Sequence, residues 1–169
     1  MDIRDPELDV AVAAMVAANA RFVLIGGFAV IANRFIRATE DIDFLAPDDL
    51  ENDRRVLAAL LELGAVRYRD DAPLTDEHLV GREHLRTKTH AGIIDILRGG
   101  LPPLDYDTVE QHAMRADYSG VEFLVAGLDS IVGFKRLAGR PRDRNDLIGL
   151  EEIHGELPIV PIPGLDEDT

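Results

Sequence analysis

The sequence contains no cysteine. That excludes disulfides and thiolate zinc sites, and it gives no support to an oxidising compartment. No apolar run approaches the length of a membrane span. The opening stretch MDIRDPELDV is acidic and has no apolar h-region, so no signal peptide is expected and a cytoplasmic, non-membrane protein is the default. Neither a Walker lysine nor a dinucleotide glycine fingerprint is present. The five histidines, His78, His84, His90, His112 and His154, show no metal-ligand spacing and are expected at the surface or satisfied in the core. There is no internal repeat. Positive charge is also scarce: 18 Lys and Arg stand against 32 Asp and Glu, a net charge of −14. Such a surface repels polyanions at long range and argues against a long nucleic acid as partner.

What is present is enough for one domain. The chain has 169 residues and is 46% hydrophobic, long enough for a real core and short for two domains. Asp5-Pro6-Glu7 reads as a helix start, with Leu8, Val12, Met15 and Val16 on the buried face. Residues 21–25 form a short apolar strand, broken by Gly26-Gly27, and residues 28–35 return to helical spacing. Strands are expected at 41–45, 65–69, 83–89 and 93–97. A helix over 48–63 would bury Val56, Leu57, Leu60 and Leu61. Residues 70–81 read as loop, 108–114 as a short helix, and 118–125 as strand with a turn at Ser119-Gly120. Residues 128–138 form a helix stopped by Gly139, and Pro141 opens another to about 153. The fold class is α/β (α+β), a small mixed twisted sheet flanked by helices over residues 1–154. Residues 155–169 form an acidic, proline-punctuated tail that is expected to be extended or disordered.

The charge is uneven. Glu40, Asp41, Asp43, Asp48, Asp49, Glu51 and Asp53 crowd one segment, and Glu151, Glu152, Glu156, Asp166, Glu167 and Asp168 the C-terminal part. Lys135, Arg136, Arg140, Arg142 and Arg144 crowd another, with a looser basic group at Arg82, Arg86, Lys88 and Arg98. In Asp41-Ile42-Asp43-Phe44 the strand period puts both acids on one face. Two close carboxylates repel unless a cation lies between them, and oxygen-only ligands suit Mg²⁺ or Mn²⁺. Alone, this DxD reads better as a solvated strand end. Asp95 changes the balance, because it sits in Ile93-Ile94-Asp95-Ile96-Leu97, where an unpaired charge is costly. Either an arginine, Arg37 or Arg98, pairs with it, or the three acids form one metal site. The metal site explains all three. At Gly26-Gly27 a strand turns into a helix, and backbone amides there can approach a phosphate.

Ile25-Gly26-Gly27, thirteen intervening residues, Asp41-Ile42-Asp43-Phe44 and a distant apolar-flanked Asp95 together resemble the polymerase-β-type nucleotidyltransferase superfamily. Gly26-Gly27-Phe28-Ala29 with residues 37–44 resembles the branch of abortive-infection-type toxin and small antibiotic nucleotidyltransferases. Residues 135–147 resemble a helical signature of the toxin-like members. The resemblance implies a nucleotidyltransferase-like fold and metal-dependent transfer of a nucleoside monophosphate from an NTP to an acceptor hydroxyl on a small molecule, a protein or an RNA end. It implies that Asp41, Asp43 and Asp95 are catalytic and metal-binding, with Asp95 helping to deprotonate the acceptor. Gly26 and Gly27 would hold the triphosphate, with Arg37, Thr39, Lys135 and Arg140 as further nucleotide contacts. The family's usual Gly-Ser is Gly-Gly here, as it is in this branch. Lys135 is expected to emerge near its helix end, so that Lys135→Ala weakens NTP binding and leaves the fold intact. Arg136, Arg142 and Arg144 read as solvated, and Asp143 and Asp146 as first-turn acids of the last helix. Two other functions carry the same residues: a binding or regulatory member of a toxin–antitoxin pair, with a cognate protein partner, and a metal-dependent phosphohydrolase.

Overall fold

The computed structural model describes residues 1–167; Asp168, which the acidic tail includes, lies outside the described residues. The helices are α1 (Leu8–Ala17), α2 (Gly26–Ala32), α3 (Leu50–Glu62), α4 (Tyr106–Gln111), α5 (Leu128–Ala138) and α6 (Pro141–His154). The strands are β1 (Val23–Ile25), β2 (Asp41–Ala46), β3 (Val66–Arg67), β4 (His84–Thr89), β5 (Gly92–Arg98), β6 (Met114–Tyr118) and β7 (Val121–Val125). They form one seven-stranded sheet in the order β3-β4-β5-β2-β1-β7-β6. Two pairings, β2 with β5 and β1 with β7, are parallel, and the others are antiparallel, so the sheet is mixed as expected. No described helix is long and apolar enough to cross a membrane.

Register in the centre of the sheet is fixed by its apolar face. Ile42 lies beside Ile94 and Phe44 beside Ile96, and all four are fully buried. Each contributes about 1.5–3 kcal/mol relative to exposure, and a one-residue slip would turn all of them outward. The opposite face at the same positions carries Asp41, Asp43 and Asp95. The apolar pattern therefore dictates where the acids point.

Several elements depart from the sequence reading. Asp5 does not cap α1; the N-cap is Glu7, whose amide donates to the Ala91 carbonyl at 2.9 Å. Asp5-Pro6 instead runs against the β4–β5 turn, where Gly92 has φ +103 and a Cβ would meet Pro6 Cα at 2.9 Å. Val16 and Leu61, expected in the core, are 38% and 50% exposed. On α3 the buried face takes in Asn52 and Asp53, because each finds partners. The Asn52 side chain bonds the Arg21 amide and carbonyl, and Asp53 pairs with Arg98. Helix α2 starts at Gly26 itself and ends early, with the Asn33 side chain donating to the Ala29 and Ala126 carbonyls and Arg34 at φ +80.

The expected helix at 108–114 is α4, shifted toward the N-terminus and capped by Asp105. Met114 opens β6, a largely exposed edge strand of which only Ala116 packs on the core. It is joined to β7 through Ser119 and Gly120, both at positive φ, as a tight hairpin requires. The tail does not stay apart. Ile162 is buried, and Arg136 donates to the Val160 carbonyl and to Asp166, so the described tail docks on α5. Arg136 is accordingly half-buried and paired, not solvated.

Candidate active site

Parallel pairing sets Asp43 beside Asp95, and strand alternation adds Asp41 on the same face. Carboxylate oxygens of the three lie within 4.8 Å of one another. They line a cleft of about 630 Å³, together with the Gly26-Gly27 turn on one side and α5 and α6 on another. Burial, then repulsion from Asp41 and Asp95, pushes the Asp43 carboxyl up to about 7. That is the behaviour of an acid cluster short of positive charge, and an oxygen-only donor set of this kind fits a hard divalent ion.

Asp95 does have protein partners, but neither is the one expected. Arg98 goes to Asp53 and Asp48, with contacts of 2.6 Å, and Arg37 goes to Asp146. The partners of Asp95 come from β4. Arg86 Nη1 donates to Asp95 Oδ2 at 2.5 Å and reaches Asp41 Oδ2 at 3.3 Å, while His84 Nε2 lies 2.8 Å from Asp95 Oδ1. The hydrogen bond to Asp95 raises the His84 imidazole above its ordinary value. His84 is thus part of the cleft, contrary to its reading as an ordinary surface or core histidine. Of the others, His112 pairs with Asp129 and His154 with the Asn33 carbonyl. The signal for Arg86 and His84 was available: a two-residue turn at His90-Ala91 pairs Thr89 with Gly92, and counting back sets Arg86 opposite Asp95.

The glycines are explained by the protein's own atoms. Gly26 has φ +68, and a Cβ there would overlap the Asp43 carboxylate. A Cβ on Gly27 would overlap Thr39 Oγ1 and meet Arg37 Nη1 at 3.1 Å. The paired glycines let the acid and the segment 37–39 pack onto the turn. Thr39 itself donates to the Asp41 carbonyl at 3.2 Å and so ties that segment to the head of β2.

Lys135 lines the same cleft as Gly26-Gly27, but it does not emerge near its helix end as expected. It is 6% exposed, and its Nζ is held by Asp143 at 3.1 Å and Asp146 at 2.8 Å. Asp146 also receives a two-pronged bond from Arg37, 2.6 and 2.8 Å, and Asp143 receives Arg140 at 2.7 Å. Asp143 and Asp146 are therefore more than first-turn acids: they gather the three cations along one wall of the cleft. Burial alone would raise Asp143, but the bonds from Arg140 and Lys135 outweigh it and hold the carboxyl down at about 2. Asp146 is lowered in the same way by Arg37 and Lys135 against its burial. Arg142 and Arg144 are exposed, as expected, and Arg142 also reaches the cleft rim.

No protein-family model matches the sequence, and no curated protein matches it. Solved structures do match by shape. The crystal structure of ANT(2″)-Ia in complex with adenylyl-2″-tobramycin superposes with TM-score 0.59 at 15% identity, over 88% of this chain and 87% of that one. The lincosamide antibiotic adenylyltransferase LnuA, with lincomycin bound, gives 0.57 at 13% identity, over 89% and 99%. An antigenic nucleotidyltransferase-like protein from Paracoccidioides brasiliensis gives 0.54 at 16%, over 89% and 79%. The chain has the nucleotidyltransferase fold. On this nucleotidyltransferase scaffold the acids of β2 and β5 share one face and line the cleft together with Arg37, Lys135 of α5 and Arg140 at the start of α6.

Proposed function

We propose that this chain is a metal-dependent nucleotidyltransferase that moves a nucleoside monophosphate from an NTP to an acceptor hydroxyl and releases pyrophosphate. The observation that carries the reading is the convergence of Asp41, Asp43 and Asp95, from two neighbouring strands, on one cleft of a chain with the nucleotidyltransferase fold. Mg²⁺ or Mn²⁺ held by these acids would neutralise the charge that gathers on the transferred phosphate. The chain's own groups do the positioning. Arg37, Lys135 and Arg140 supply positive charge in the same cleft as the acids. The backbone at Gly26-Gly27, with Thr39 beside it, receives the phosphates. Asp95, held by His84, takes the proton of the acceptor hydroxyl as its oxygen attacks the α-phosphorus and the bond to pyrophosphate breaks.

Two similar structures hold an antibiotic or its adenylyl derivative, and the cleft is of small-molecule size, so a small hydroxylated acceptor is the reading we favour. The test is product analysis with α-labelled NTPs, Mg²⁺ or Mn²⁺, and a panel of hydroxylated small molecules. Labelled monophosphate on an acceptor, with equimolar pyrophosphate, supports the reading. Free nucleotide without transfer would make the chain a phosphohydrolase. Turnover that survives in Asp43→Asn would overturn the assignment of the acids.

A further inference from the structure

The acids assigned to metal are already touched by a cation of the chain. A single nitrogen of Arg86, Nη1, bridges Asp95 Oδ2 at 2.5 Å and Asp41 Oδ2 at 3.3 Å. His84 holds the other oxygen of Asp95, so both oxygens of that carboxylate are engaged. Among the described residues Asp41 and Asp95 receive side-chain hydrogen bonds and Asp43 receives none. Arg86 is built into this position rather than resting there. Its place on β4, opposite Asp95, follows from the β4–β5 register. Its guanidinium carbon lies 4.7 Å from the centroid of the Tyr68 ring, and the Tyr68 amide donates to the Arg86 carbonyl at 3.1 Å. The aromatic face supports the guanidinium in this same position, and a cation over a ring keeps part of that attraction when its carboxylates are taken. Its side chain is 35% exposed, so it has room to move.

We propose that Arg86 is the built-in counter-ion of the acid trio: it neutralises Asp41 and Asp95, competes with divalent ions for that pair, and must swing off them before an ion can bind there. This rests on the proposed metal-dependent function and adds to it an element of control. Free Mg²⁺ then binds the resting chain weakly, because it has to displace a fixed positive charge. An incoming NTP brings the anionic partner that the displaced guanidinium needs, so NTP and metal each tighten the other's binding.

The experiment is Mn²⁺ binding without nucleotide, read from the free-ion electron paramagnetic resonance signal, in wild type and in Arg86→Gln. The folded state is checked by melting, and Arg86→Lys is carried alongside because it keeps the charge without the planar fork. Removing a unit positive charge a few ångströms from the site should tighten Mn²⁺ binding by at least about tenfold in Arg86→Gln, with Arg86→Lys between it and wild type. If Arg86→Gln does not fold, tighter binding in Arg86→Lys than in wild type carries the same meaning. Equal or weaker binding in the folded variant overturns the counter-ion role and leaves the metal-dependent reading standing. No Mn²⁺ binding at millimolar concentration in any of the three proteins, either alone or with NTP added, overturns both.

Discussion

Asp43 is a half-buried acid beside two others, and the consequences of that placement can be signed. Its folded-state carboxyl sits at about 7 against an ordinary 3.8, through burial first and then its two neighbours. A raised acid favours the protonated native state, so its contribution is fully present below 3.8 and is lost as pH rises through about 7. Without metal, wild type should therefore lose melting temperature relative to Asp43→Asn between pH 5 and 8, as measured by paired thermal melts. A metal ion needs the ionised form, so the Mg²⁺-induced rise in melting temperature should grow over the same interval and be absent in Asp43→Asn. Parallel pH curves for the two proteins would sink both statements. Lys135 needs a different forecast from the one its sequence suggests. Because it is buried between two acids, Lys135→Ala should destabilise the fold, by about 2–3 kcal/mol, since Arg37 and Arg140 still offset part of the exposed charge. Urea titration measures this, and a loss below about 0.5 kcal/mol would return Lys135 to the surface role. The residues that were legible in the sequence are those governed by strand period, Asp41, Asp43 and Asp95. The burial of Lys135 was not, because which acids surround it depends on the angle at which α6 returns after Gly139, and that angle leaves no pattern in the sequence.

At the scale of elements, the cleft depends on how α6 seats on the segment that carries Arg37. Phe35 fills the space beside Gly149 on α6, where a Cβ would lie 2.5 and 2.6 Å from its Cε2 and Cε1 atoms. Two residues on, Arg37 clamps Asp146 of the same helix. Gly149→Ala should cost about 1–3 kcal/mol by overpacking and should also weaken NTP binding, since the displaced ring carries the clamp with it. Gly155→Ala makes a useful comparison: nothing lies within 4 Å of its Cβ position, so any loss there comes from its φ of +77 and should leave NTP binding unchanged. NTP affinity in Gly149→Ala equal to wild type would detach Phe35 from the site. Elements with strong punctuation were legible: α5 runs from Leu128 to Ala138 with Gly139 at φ +60, as its sequence predicts. Those set by tertiary pairing were not. Strand β6 does alternate, with Met114, Ala116 and Tyr118 on one face, but five residues beside a helical segment were too short a run to fix its start, and the Asp5-Pro6 segment looks like a helix cap until the β4–β5 turn is there for it to pack against.

The whole molecule carries a net charge of −14, yet its cleft is lined by Arg37, Arg86, Lys135, Arg140 and Arg142 alongside its acids. These two facts act over different distances. Inside the cleft, cations and acids lie within a few ångströms of a ligand and are poorly screened. Outside it, the excess acid acts over the screening length, roughly 10 Å at 0.1 M salt. A mononucleotide with its metal fits within the first range. A long RNA or DNA must lie across the second, where every additional phosphate meets a surface of its own sign. For a cation-lined groove, affinity for nucleic acid falls steeply as salt rises, because bound counter-ions are released. For this chain the dependence should be absent or reversed: no binding of a long RNA at low salt, with any weak association strengthening as salt screens the repulsion. Fluorescence anisotropy of a labelled long RNA across a salt series decides it, with labelled NTP and Mg²⁺ measured in parallel as the ligand that should bind. Tight RNA binding at low salt, falling with the usual negative slope, would mean that a basic track continues out of the cleft. It would also move the acceptor from a small molecule to a nucleic-acid end.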